Sequence, residues 1–486
     1  MPLSKPISFA DLIGKKVAIW GLGKEGVATY YRLKSSGISP LLIDNKERGE
    51  ITALGDEEFN FVQLKDNDVS FLSDFDVVIK SPGISRYLDG VKYLEQKGVQ
   101  VVGGMGLFLE EAEKKNTILV TGTKGKSTTT SLITHLLNEF NESAHSFGNL
   151  GFVPWDQHVD LALWKWKILE VSSFQISDLW SSGPVVVVTA LSPDHLDWHN
   201  HNLETYYRDK LQLCRLPGVE LVIANGDDEN LREHARLLGE HTFWVHYDNY
   251  RDKKWLEDIP LQGVYNKRNV ILAVEAIVKS GVNITQDAGL LSAALQRFQS
   301  LPHRLEKIAE LEEIEFIDDG LATNALPTVA ALETYHNRPV ALIVGGSDRG
   351  IEYGRLAGAI QERTQPICLL ALPDVGARIV ETVLSYRNTS GFFVKDITVL
   401  SDGVEFVGSS GAKVTIHFCA KLSIAVRESF FWAKQIKAGL PTGSSDLPLV
   451  LLSPAAPSFS QYHDYVERSK DFKDQVMLMA EERKEL

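Results

Sequence analysis

The 486-residue chain has only three cysteines, Cys214, Cys368 and Cys419. They are odd in number, far apart and form no C-x-x-C pair, which removes a disulfide scaffold and a cysteine-rich zinc site from consideration. Reduced thiols in a cytoplasmic protein are expected. Long hydrophobic runs are also absent. Val185–Val188 is too short to span a bilayer and reads as a buried strand, so no membrane insertion is expected. Residues Met1–Ile13 have no apolar stretch behind a basic start, so no secretory signal is expected. Positive charge is in deficit, with a formal net charge of -14. Such a chain has no general pull toward nucleic acid or anionic lipid, and an anionic ligand needs a local cationic site.

What is present is ordinary for a globular protein, with 44% hydrophobic and 23% charged residues. At ~150 residues per domain the length suggests about three domains. Apolar strands alternate with helical stretches, which predicts an α/β fold with mostly parallel sheets. The strands expected are Val17–Trp20, Leu41–Asp44, Val77–Lys80, Thr117–Val120, Lys167–Leu169, Val185–Val188, Ile314–Ile317, Val340–Val344, Ile367–Leu370, Val414–Phe418 and Leu449–Leu452. A first boundary is expected near Gly103-Gly104, and Leu301-Pro302-His303-Arg304 reads as a linker. Gly443-Ser444-Ser445 reads as a loose loop and Met477–Leu486 as a charged terminal helix.

The sharpest chemical signal is Thr121-Gly122-Thr123-Lys124-Gly125-Lys126-Ser127-Thr128, between a strand and a helix. A glycine loop there lets backbone N–H groups and the helix N-terminus surround phosphates. Lys126 is placed to reach β- and γ-phosphates and Ser127 to hold Mg²⁺. The full pattern asks for a further glycine where Val120 stands, so this is a shortened variant, and a chance basic turn also fits the spacing. Gly21-Leu22-Gly23-Lys24-Glu25-Gly26 matches G-x-G-x-x-G after a strand, with Asp44 ending the next strand. A nicotinamide dehydrogenase and a tight packing turn both account for that piece alone.

Residues suited to a metal follow strand ends: Glu170 in Glu170–Gln175, and His195 in Asp194-His195-Leu196-Asp197. Ligands of open α/β sheets bind outside the carboxyl ends of the strands, so both segments should face one crevice. Carboxylate, imidazole and hydroxyl suit Mg²⁺ beside phosphates better than zinc. A capping carboxylate or a satisfied histidine is the bland reading of each, and His199 and His201 read as hydrogen-bonded surface histidines.

These segments in order resemble the Mur ligase family. So do Gly148-Asn149-Leu150-Gly151, Tyr207-Arg208-Asp209-Lys210, Asn266–Asn269, Leu301–Glu306, Asp318–Asn324 and Gly345–Gly350. Gly21-Leu22-Gly23, Lys80–Ile84 and Leu452–Phe459 resemble its MurD-type branch, the muramoyl-alanine–glutamate ligases. The resemblance covers nearly the whole chain. It implies a Rossmann-like UDP-substrate-binding domain (1–104), a central P-loop ATPase domain with a mostly parallel sheet (105–304) and a Rossmann-like C-terminal domain (305–486). It implies ATP and two Mg²⁺ ions, the substrates UDP-N-acetylmuramoyl-L-alanine and glutamate, an acyl phosphate intermediate and a monomer.

By the same resemblance the catalytic residues are Lys126, His195 and Lys210. Ser127, Glu170, His195 and a carbamylated Lys210 hold metal. Gly122 to Thr128, Asn266, Asn269, Arg304 and Asp319 bind ATP. Gly21, Leu22, Gly23, Asp44, Ser81, Pro82, Gly83 and Asn149 bind the UDP substrate. Thr323, Arg349, Ser458 and Tyr465 bind glutamate. The chain departs from the pattern at Tyr265, where the family has histidine, and at Leu321, where D-glutamate ligases have lysine. Tyr465 replaces the usual phenylalanine. These departures resemble the branch that adds L-glutamate and works with a separate epimerase. A folate–glutamate ligase, an oxidoreductase and a non-catalytic nucleotide binder are the rival readings.

Overall fold

Four-residue runs such as Val-Ala-Ile-Trp and Val-Val-Val-Val have no polar face, so they are stable only when covered on both sides, as in parallel sheets. In a computed structural model of the chain they occupy the centres of three sheets. The structure describes residues 5–482 except 49, 50, 52, 53, 55–57, 66, 67, 151, 258, 262, 300, 301, 349, 350, 387–396, 401, 402, 442, 443, 445, 459 and 460. Arg349 and Leu301 therefore lie outside the described residues, as does most of the Gly443–Ser445 loop.

The first sheet contains β1 (Val17–Trp20), β2 (Leu41–Asp44), β3 (Phe61–Gln63), β4 (Val77–Lys80) and β5 (Gln100–Gly103). Its order is β3-β2-β1-β4-β5 and every pairing is parallel. The order reverses between β1 and β4, and a crevice opens there at the carboxyl ends. The second sheet contains β6 (Thr117–Thr121), β7 (Ala144–Gly148), β8 (Trp166–Glu170), β9 (Val185–Val188), β10 (Leu221–Asn225) and β11 (Thr242–Val245). It is also all parallel, in the order β11-β10-β9-β6-β8-β7. The four β9 valines are buried, each worth about 1.5–3 kcal/mol against exposure.

The third sheet contains β12 (Glu306–Leu311), β13 (Ile314–Asp318), β14 (Val340–Gly346), β15 (Ile367–Asp374), β16 (Thr398–Val399), β17 (Gly403–Val407), β18 (Lys413–Phe418) and β19 (Leu449–Leu452). Its order is β12-β13-β19-β14-β15-β18-β17-β16. The centre is parallel, while β12 and the β16–β17 pair add antiparallel edges. The last helix spans Tyr465–Glu482. It starts well before Met477, because Arg468, Phe472, Val476 and Met479 make a buried stripe at helical spacing.

The chain divides into two compact units, residues 1–299 and 300–486. The first unit holds two sheets because they share one core, in which Val17, Ile79, Phe108, Trp155, Leu169 and Val186 are all buried. Polar groups are matched across the same seam. Lys80, fully buried at the end of β4, donates to Asp178 at 2.5 Å, and Arg86 takes the other oxygen at 2.7 Å. Trp155 Nε1 donates to Thr29 at 3.0 Å and Trp198 Nε1 to the Pro82 carbonyl at 3.0 Å. Removing one partner of such a buried pair strands a charge, at about 3–5 kcal/mol.

Candidate active site

The loop after β6 is shaped by its glycines and by its neighbours. Gly125 has φ +90°, the left-handed region that favours glycine, and a Cβ there would lie 2.5 Å from Asn269 Oδ1. It caps the helix Lys126–Glu139, whose apolar face packs on the helix Val264–Lys279. Asn269 and Asn266 lie on that second helix, both buried, with Asn269 Nδ2 donating to Asn266 Oδ1 at 3.3 Å. Thr189, just past β9, donates to the Lys124 carbonyl at 2.5 Å.

Two lysines converge on one backbone oxygen. Lys126 Nζ donates to the Gly122 carbonyl at 2.9 Å, and Lys210 Nζ donates to the same oxygen at 3.0 Å. Lys210 is only 2% exposed. Burial, and then the Lys126 charge, press its ammonium well below the usual lysine range. Lys124 Nζ reaches Asp194 at 3.2 Å. Burial works to raise the Asp194 carboxyl, but Lys124 and His195 hold it below the ordinary value.

Glu170 closes β8. Its Oε1 accepts from Asn149 Nδ2 at 2.9 Å. Its Oε2 is buried without a partner among the described residues. A buried carboxyl oxygen with no partner is costly unless a cation sits against it, so Glu170 fits the metal expected there. His195 has φ +50° and meets Phe174 edge-on at 5.0 Å. Desolvation lowers its imidazole, opposed by Asp194 and aided by the three lysines. Ser127 lies in the first turn of the loop's helix, half-buried.

A cavity of about 420 Å³ brings Lys126, Lys210, His195, Asn149, Pro82 and Gly83 onto one wall system. Ser173, Gln175 and Glu25 also line it, and sequence reasoning did not single them out. The Ser172/Gln175 pair could have been noticed as a capping box, which the structure forms. Gln175 Nε2 donates to Glu25 at 2.5 Å, and burial pushes the Glu25 carboxyl up to about 7. Gly21, Leu22, Asp44 and Ser81 gather instead at the crevice of the first sheet. Ser81 Oγ donates to the Gly21 carbonyl at 2.6 Å and Leu22 N–H to Asp44 at 2.6 Å. Gly23 is exposed beside them as the cap of the following helix. The expectation of a surface position for His199 is corrected. It is fully buried, because Ser173 and Asp209 give both ring nitrogens partners. His201 is exposed.

In the second unit the segments singled out at 303–304, 318–323 and 458–465 come together. The Leu321 N–H donates to the His303 carbonyl at 3.1 Å. The His303 ring faces Tyr465 at 6.0 Å. Burial raises the Asp319 carboxyl to about 7, opposed by Ser453, which donates to it at 2.7 Å, and by the charge of Arg304. Thr323 is half-buried and Ser458 buried. Arg468, which the sequence did not flag, is buried and donates to the carbonyls of Gly320, Gly345 and Ala456.

These two units and their loops match known proteins. Residues 120–277 match the family model of the Mur ligase middle domain. Residues 15–103 match that of the Mur ligase MurD-like N-terminal domain. A relative from Micromonospora sp., named UDP-N-acetylmuramoyl-L-alanine–L-glutamate ligase, is 32% identical over 96% of this chain and 97% of its own length. One of the same name from Salinispora tropica is 33% identical over 96% of this chain and 98% of its own. The crystal structure of UDP-N-acetylmuramate-alanine ligase from Thermotoga maritima shares the fold, with a TM-score of 0.52 at 18% identity over 96% of this chain and 100% of that one. The chain belongs to the Mur ligase family. Members of this family are ATP-dependent ligases of peptidoglycan synthesis that use ATP and Mg²⁺.

Proposed function

We propose that this chain joins L-glutamate to UDP-N-acetylmuramoyl-L-alanine, converting ATP to ADP and phosphate. The observation that carries the reading is the cavity in which Lys126, Lys210, His195 and Asn149 meet beside the unpartnered Glu170 oxygen. A carboxylate is a poor electrophile, being anionic and lacking a leaving group. Transfer of the γ-phosphoryl group cures both faults. The glutamate amine then adds to the acyl carbon, and phosphate leaves as the amide forms. Lys126 lends positive charge to the loose phosphoryl-transfer transition state. Asn149 orients the substrate end, and the Glu170 oxygen, Ser127 and His195 are assigned to metal. Two Mg²⁺ ions supply further charge neutralisation when bound.

A buried lysine ammonium beside Lys126 and a cation is electrostatically unfavourable. Addition of CO₂ to the neutral Lys210 amine, with loss of one proton, gives a carbamate that is an oxygen ligand and removes that conflict, so Lys210 is assigned as the carbamate. Asn266, Asn269, Arg304, Asp319 and the loop from Gly122 to Thr128 are assigned to ATP. Gly21, Leu22, Gly23, Asp44, Ser81, Pro82 and Gly83 are assigned to the UDP substrate. Thr323, Arg349, Ser458 and Tyr465 are assigned to glutamate. The domains are assigned as 1–104, 105–304 and 305–486. Among the described residues no helix is long and apolar enough to cross a membrane. A monomeric cytoplasmic enzyme with an epimerase acting on its product completes the proposal.

The L-hand is supported by Leu321, which supplies no cation, and by the names of the relatives. The test is ADP release from ATP with UDP-N-acetylmuramoyl-L-alanine and either enantiomer of glutamate. Turnover with the L-form is the expected result, and turnover with the D-form alone overturns the choice of hand.

A further inference from the structure

His199 lies behind the cavity wall, its ring packed against Phe174, Trp198 and Tyr206. Its Nδ1 is 2.8 Å from Asp209 Oδ2, and its Nε2 is 3.0 Å from Ser173 Oγ. The Tyr87 hydroxyl donates to both Asp209 oxygens, at 2.9 and 2.7 Å. Ser173, His199 and Asp209 are all at least 96% buried.

With a neutral His199 ring the chain of bonds has one consistent set of protons. Both Asp209 oxygens accept from Tyr87, so the proton between Asp209 and His199 sits on Nδ1. The Nε2 of the neutral ring is then a lone pair, and Ser173 must donate its O–H to it. With its proton turned into the wall, Ser173 shows the cavity nothing but lone pairs. Its backbone is also held, since it opens the helix Ser173–Ile176 behind the Ser172/Gln175 capping box. On the same cavity wall Lys126 is a donor, and the Asp194 carboxylate is taken by Lys124. Ser173 is therefore a fixed acceptor on the wall that also carries Lys126.

We propose that Asp209 and His199 are positioning residues that hold Ser173 as an acceptor, and that Ser173 reads the amide N–H beside the reacting carboxylate. The ligand half of this inference rests on the reaction proposed above. In that substrate the alanine N–H and the carboxylate share one α-carbon. A group so close to the carboxylate meets the same wall as Lys126 and Lys210. A substrate with an ester oxygen in place of that N–H would set lone pairs against lone pairs. It should be rejected by about ten- to hundred-fold.

The experiment has two arms. Protein labelled with ¹⁵N in histidine is read by NMR for the His199 tautomer. Wild type should carry Nδ1–H and a bare Nε2. In Asp209→Asn the amide oxygen keeps the Tyr87 hydroxyl and the amide N–H turns to Nδ1, so the proton should move to Nε2. The second arm compares UDP-N-acetylmuramoyl-L-alanine with its ester analogue. Wild type should prefer the amide by about ten- to hundred-fold, mostly in KM for that substrate. The preference should shrink to about threefold or less in Ser173→Ala and Asp209→Asn, with KM for ATP unchanged. A wild-type His199 bearing Nε2–H overturns the relay. An active wild type whose amide preference survives in Ser173→Ala overturns the ligand. A wild type inactive on the amide substrate overturns the proposed reaction and the ligand with it, while the tautomer arm still decides the relay.

Discussion

Two glycine loops, each following a parallel strand, do different physical work in the first unit. In Gly21–Gly26 the glycines serve close approach. A Cβ on Gly26 would lie 2.1 Å from the Gly21 carbonyl oxygen, and the Leu22 N–H is already given to Asp44. The carboxyl it carries, Glu25, is driven toward its neutral form. In Gly122–Gly125 two ammonium groups share one carbonyl, with a third lysine adjacent. The first loop is quiet and packed, and the second is electrostatically loaded. The lesson is that the same residue type marks tight packing in one loop and charge handling in the other, and the lysines tell them apart.

The contrast predicts a largest effect at Lys126. Lys126→Ala should cut glutamate-dependent ADP formation by about 100- to 1000-fold, with no fall in the unfolding midpoint. A folded mutant with near-normal turnover would erase the charge-handling reading. Lys210→Ala should lose activity on the same scale, and short carboxylic acids that fill the gap should restore part of it. Full activity without additive would make Lys210 a mere packing lysine. Gly26→Ala should destabilise the protein by about 1–3 kcal/mol in denaturant titration, because backbone cannot yield to a methyl group. Gly23 has open space around it, so Gly23→Ala should stay within about 0.5 kcal/mol of wild type. A raised KM for the UDP substrate in that variant is the result expected from the ligand binding assigned to this loop.

A pH dependence is expected at Glu25. Its folded pKa, about 7, stands above the ordinary carboxyl value. The folded state therefore holds the proton more tightly, and its advantage is lost as pH rises through 7. Glu25→Gln should gain stability relative to wild type between pH 4.5 and 8, read from paired melting curves. Parallel curves across that range would show that the first loop carries an ordinary surface acid.

Much of the parallel core was legible in the sequence, because a short apolar run bounded by turn residues reads as a strand covered on both faces. The β9 valines and the apolar run of β19 are cases. The edges were less legible. β12 has no buried residue, and its Glu and Lys residues kept the segment out of the expected strands. The phosphate loop and the strand-end carboxylate were readable because each is a local pattern. Ser173, His199 and Asp209 were not readable as a unit. Asp209 follows His199 by ten positions across a helix start, and Tyr87 lies 122 positions from Asp209. Only the packing of the first sheet on the second puts the phenol there.

The Lys80–Asp178 pair sets a schedule for synthesis of the chain. The two residues are 98 positions apart. At about 5–20 residues per second, Lys80 emerges from the ribosome roughly 5–20 s before its partner. During that interval the nascent first sheet ends in a cation with no anion from the second sheet to neutralise it. Burying that lysine early would strand the charge, so the seam must stay hydrated until Asp178 arrives. The N-terminal sheet is thereby kept from docking prematurely, on itself or on another chain, until the element it is built to meet has been made.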